Sequence, residues 1–254
     1  MTNMTRLIPT FLKERFKAVN RLIMLMLTAI VATAVVQLFT NGVSNWETSL
    51  TGDVSFWSGI AFFVIFIRLA SFNEHIYVND AFRLIPISDT KLYLSSYSAS
   101  ALAFLYYGVI SAVLHGLVAF VTKGQLQVNF HIESSFFWSS APVAVPMIIV
   151  FFFLGLLLVW MTISLIHLIM VSIAAFLPVG RQRLIRGVLY VVVSVVIIRV
   201  VMGLFQLYSQ FVMTSGLQLN GTSVLLAFLS VIIVLILESA ANVLLMKRFV
   251  ETAL

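Results

Sequence analysis

The chain has no cysteine, and only 9% of its 254 residues are charged. The first absence excludes disulfides and thiolate metal sites. The second excludes a soluble globular protein, whose water-facing surface needs closer to a quarter of charged residues. Catalytic signatures are missing as well. There is no G-x-x-x-x-G-K-[ST] loop to cradle a nucleotide phosphate, no H-E-x-x-H and no G-x-S-x-G elbow. The four histidines, His75, His115, His131 and His167, are too scattered for a local zinc site. Only one acid, Glu238, lies deep in an apolar run, so an intramembrane aspartyl dyad is excluded. A non-enzymatic chain is expected, with no cofactor and no metal of its own.

What is present is apolar: 61% of the residues are hydrophobic. Runs of roughly 20 such residues, long enough to cross a bilayer, recur along the whole length. Six spans are predicted, at about 22–39, 54–71, 95–122, 143–176, 187–212 and 223–246. The expected fold class is an all-α integral membrane protein forming one domain, 1–254. Lys13, Glu14, Arg15 and Lys17 precede the first run and no small-residue cleavage site follows it, which argues against a cleavable signal.

Thirteen of the fifteen basic residues gather in the N-terminal arm, the second and fourth connections and the C-terminus. The other connections hold only Lys123 beside Glu47, Asp53 and Glu133. The positive-inside rule then predicts cytoplasmic termini, and Trp46, Trp57 and Trp138 fall at the opposite edge, where an aromatic belt belongs. The net charge of +6 therefore points to a membrane surface and away from nucleic acid. In the N-terminal arm, Ile8, Leu12, Phe16 and Val19 recur at helical spacing opposite Lys13, Glu14, Lys17 and Asn20. This predicts an amphipathic interfacial helix over about 5–20 that turns into the first span.

Four polar residues inside spans are costly enough to need an explanation: Arg199, Glu238, His167 and Asn242. The fifth and sixth spans run antiparallel, and the depths of Arg199 and Glu238 differ by only about 6 Å at 1.5 Å per residue. A snorkelling arginine covers that gap, so a pair is expected. It is either a static packing contact or part of a polar path or latch. His167 lies at comparable depth, and Asn242 one turn below Glu238.

The connection NEHIYVNDAFRLIPISDTKLYL lies on the cytoplasmic side between the second and third spans. Pro86 interrupts its helical pattern, Ser88 and Asp89 are N-cap candidates, and Lys91 opens the next helix. On residues alone this is a helix across the membrane face followed by a corner, or an ordinary loop with a capped return.

The corner R-L-I-P-I-S-D-T-K resembles the LP-[IV]-S-x-x-K corner of permeases of the ABC-2 type ABC-transporter family. The resemblance extends to the amphipathic start, six spans, cytoplasmic termini and a C-terminal N-x-L-L-x-K-R, Asn242 to Arg248. It implies that the helix before the corner couples to a separately encoded P-loop ATPase subunit, which would carry ATP and Mg. Residues carried over to that contact are Asn79, Asp80, Phe82, Arg83, Pro86, Ser88 and Lys91. Pro178 to Arg186, with Arg181 and Arg183, would form a smaller contact. A second permease chain, identical or related, would complete the pathway among the membrane lipids. Many family members carry an outer re-entrant hairpin between the last two spans, where only about Met213 to Thr222 is clearly polar here. The resemblance implies export of a hydrophobic or amphipathic substrate, with a peptide as first candidate. Two other readings stay open: a membrane scaffold or immunity-type protein, and an ion-coupled carrier using Glu238 and Arg199.

Overall fold

The computed structural model describes residues 4–41, 46–78, 87–122, 134–174 and 221–247, together with eight scattered helical positions between 187 and 202. The described residues are almost entirely helical, with no strand among them. Five helices follow one another: α1 (Met4–Asn41), α2 (Trp46–Val78), α3 (Asp89–Val121), α4 (Ser134–Ala174) and α5 (Gly221–Leu245). Each is long and apolar enough to cross a membrane. They contain the expected spans at 22–39, 54–71, 95–122, 143–176 and 223–246, except for the last residues of three of them. Most of the span expected at 187–212 falls outside the described residues. The chain divides into two compact units, 1–133 and 134–254.

The helices are longer than the predicted spans. At 1.5 Å per residue, α1 with 38 residues extends about 57 Å and α4 with 41 about 62 Å, against a hydrocarbon core of about 30 Å. The amphipathic helix predicted at 5–20 is helical, but it does not turn into the first span. It continues into that span as one helix, with Pro9 in its second turn. The apolar periodicity explains why. Leu7, Phe11, Val19, Ile23, Met26 and Ile30 form one buried line that never shifts face between the two segments. Leu12 and Phe16, on the expected apolar side, are half-buried.

In the first unit, α1 packs on α2 and α3, and α2 packs on α3. The buried line of α2 repeats every fourth residue through Ala61, Ile65, Leu69, Asn73 and Tyr77. The buried surface of α3 has two characters. Toward α2 it is aromatic: Phe104 meets Phe62 at 5.2 Å between ring centroids, and Tyr77 stacks on Tyr93 at 5.3 Å. Toward α1 it is small. Tyr106 reaches α1, its ring 4.9 Å from Phe16 and its hydroxyl donating to Asn20 Oδ1 at 2.9 Å. Ala99 lies two turns earlier on the same face, with Ser95 and Ala103 beside it, and all three are fully buried. Small residues let two helix backbones approach where lipid supplies no hydrophobic drive.

In the second unit, α4 packs on α5. Trp160, Ser164, Leu168 and Ser172 form the most buried line of α4, and Leu235, Glu238, Asn242 and Met246 that of α5.

Candidate functional site

Two buried polar clusters stand out, one in each unit. The first is centred on Arg15, which is 1% exposed although its neighbours Lys13, Glu14 and Lys17 face outward. Arg15 is at the fourth position after Phe11 and the fourth before Val19, so the helix turns it directly into the core. Its guanidinium lies 5.6 Å from the Phe11 ring centroid. Nη2 donates to Asn73 Oδ1 on α2 at 3.0 Å and to Ser96 Oγ on α3 at 2.7 Å. Nε and Nη1 are buried and have no hydrogen-bond partner among the described residues. Among the described residues no carboxylate bonds this cation.

Asn73 is the node of the cluster. Its Oδ1 accepts from Arg15, from Ser96 Oγ at 2.8 Å and from Ser100 Oγ at 2.9 Å, so one oxygen joins three helices. Its Nδ2 is buried without a partner among the described residues. Tyr77, Tyr93 and Tyr97 stack on one another between α2 and α3, and the Tyr77 hydroxyl is buried with no hydrogen-bond partner among the described residues. A buried guanidinium held by neutral oxygens alone is expensive, because desolvation of a charge costs several kcal/mol and neutral partners repay only part of it. Neutral packing would be cheaper. The arrangement therefore trades stability for a three-helix polar joint at the ends of α2 and α3 that border the corner.

The second cluster is in α4 and α5. The Glu238 carboxylate accepts from Thr162 Oγ1, at 3.0 Å to Oε1 and 3.3 Å to Oε2. Asn242 Nδ2 donates to the Met161 carbonyl at 3.1 Å, and Ser239 Oγ meets Met161 Sδ at 3.3 Å. Glu238 and Asn242 thus come together on α4, as their i, i+4 spacing allows. Arg199 does not join them. It is exposed, and no ion pair links it to Glu238 among the described residues. The expected Arg199–Glu238 contact is replaced by Thr162, a neutral donor already held in the next helix, which avoids burying a second charge. His167 is half-buried on α4, five residues beyond Thr162. Thr162→Val should cost about 1 kcal/mol or somewhat more in unfolding free energy, since it leaves a buried carboxylate without its donor. Glu238→Gln should cost less, and thermal unfolding in mild detergent compares the two.

The corner is only partly in view. Asn79, Asp80, Phe82, Arg83 and Pro86 lie outside the described residues, as do Arg181 and Arg183. Ser88 is the N-cap of α3, with extended backbone at φ −74° and ψ 145°. Its carbonyl accepts from the amides of Lys91 at 2.9 Å and Leu92 at 3.1 Å, while its side chain makes no cap bond. Asp89 stands in the first turn, where a negative charge suits the helix dipole, and Lys91 is exposed. Among the described residues no group of three or more His, Asp or Glu is placed to hold a metal ion.

Periodicity held the signal for Arg15 and Asn73. Each occupies an i+4 position on a line of large apolar residues, and position on that line outranks residue type.

The fold and its clusters define a helical, multi-pass membrane protein. Comparison with models of protein families, with curated proteins and with solved structures finds no match.

Proposed function

We propose that this chain is the membrane subunit of an ATP-driven exporter in a bacterial plasma membrane. In this reading it has six spans, cytoplasmic termini and a corner at 79–91 that seats in a separately encoded P-loop ATPase. Two such chains form the pathway, and a hydrophobic or amphipathic substrate, a peptide first, moves outward. The resemblance of the corner supports the reading. The observation that carries it is the Arg15–Asn73–Ser96 joint, within about two turns of the helix ends that border the corner. A coupling corner needs a stiff connection to the spans, and this joint ties α1 to both helices that leave it.

Purification of the tagged chain in mild detergent tests the reading. A P-loop ATPase should co-purify, and Arg83→Glu should weaken its recovery at least roughly tenfold, as reversing an interfacial charge does. If no ATPase is recovered and export is indifferent to Arg83→Glu, the exporter reading fails.

A further inference from the structure

The face of α1 opposite its buried line carries a second pattern. Lys13, Lys17 and Arg21 follow one another at four-residue spacing, all exposed, and form a ladder of three cations about 12 Å long at 1.5 Å per residue. A shallow, open groove of about 950 Å³ lies along this face, and its described lining runs from Pro9 to Thr28 of α1. Leu12 and Phe16 line it beside the cations. Beside it, Tyr106 packs its ring on Phe16 and its hydroxyl donates to Asn20 Oδ1. Directly after Arg21 the groove turns apolar: Met24 and Leu25 are each 65% exposed.

We infer that this groove binds an acidic phospholipid. The headgroup phosphate sits among Lys13, Lys17 and Arg21, and the acyl chains lie along Met24 and Leu25. Charge decides the occupant. The described lining of the groove carries three cations, Lys13, Lys17 and Arg21, and no acid, so it opposes a cationic headgroup and attracts an anion. The order of the residues decides the source. A soluble anion has no use for the exposed apolar residues that begin where the cations end, whereas a lipid needs both in that order. The inference is independent of the exporter reading, because it rests on α1 and Tyr106 alone.

Native mass spectrometry of the full chain, titrated with dioleoylphosphatidylglycerol and separately with dioleoylphosphatidylcholine, tests it. The glycerol lipid should bind more tightly. Each cation near an acidic lipid is worth roughly fivefold, so Lys13→Gln with Lys17→Gln and Arg21→Gln should weaken it roughly a hundredfold. Glu14→Gln should strengthen it severalfold, a gain that misfolding cannot mimic. Equal affinity for the two lipids, or an unchanged Kd in both the triple variant and Glu14→Gln, would overturn the inference. So would complete displacement of the lipid by inorganic phosphate at equal concentration, which would assign the cations to a soluble anion. The cysteine-free chain allows one more check. A disulfide dimer formed by Lys17→Cys in the membrane would overturn the inference by assigning the groove to a second copy.

Discussion

Replacing Asn73 with leucine is expected to lower the unfolding free energy by about 3–5 kcal/mol, because it strands a buried guanidinium. The substitution nearly conserves volume, so cavity formation contributes little. What it removes is the oxygen that accepts from Arg15, Ser96 and Ser100 together. Ser96 would remain to accept from the Arg15 guanidinium, whose Nε and Nη1 already lack acceptors among the described residues. Arg15→Met should behave in the opposite way. It deletes the cost of burying the charge, leaves Asn73 with its two serine donors, and should fall within about 1 kcal/mol of the wild type or above it. The double variant should therefore recover most of what Asn73→Leu loses, a large non-additivity between touching residues. Unfolding of the full chain in mild detergent, followed by circular dichroism, measures all three. Strict additivity would mean that Asn73 does not hold the guanidinium. If Arg15→Met keeps stability but abolishes activity, the charge is retained for work and not for folding.

The seam between α1 and α3 gives the second large effect. Ala99→Leu adds three carbons at a position with no exposed surface, on the α3 face that carries Tyr106 to Phe16 and Asn20. Overpacking of this kind costs about 1–3 kcal/mol, as side chains leave their rotamers or backbones move apart. Leu102→Ala, three residues on at a 45% exposed position, is the control and should shift stability by no more than about 0.5 kcal/mol. A drop in thermal midpoint for Ala99→Leu alone would locate the tight approach at this seam. Equal effects would show that α1 and α3 do not rely on it.

The membrane class and five of the helices were legible in the sequence because long apolar runs have no other solution in water. The joint was not, for a reason visible in two residues. Arg15 stands among Lys13, Glu14 and Lys17, and composition alone assigns it to their exposed face. Its true place follows from the four-residue line Leu7–Phe11–Arg15–Val19, which a count of charges overlooks. Asn73 is concealed in the same way behind Ile65 and Leu69. Glu238 was legible as a costly intramembrane acid, but its partner was not. Depth along two helices restricts which residues can meet, yet Thr162 shares that depth with several others, and only the facing of α4 selects it. The small surface of α3 was present in the stretch SSYSASALA, where serine and alanine leave no stripe of large apolar residues to notice.

The unbroken course of α1 has a mechanical consequence. A helix with a joint between its amphipathic start and its span would absorb a push at one end by bending there. This one has no such hinge beyond Pro9, and it is gripped at Arg15. From that grip to Asn41 are 26 residues, about 39 Å of rod at 1.5 Å per residue. Its far end is held as well: Gln37 Nε2 donates to Asp53 Oδ1 at 2.9 Å, and Trp57 Nε1 donates to Thr33 Oγ1 at 3.3 Å. A displacement of the amphipathic start is therefore passed along a strut tied to α2 at both ends.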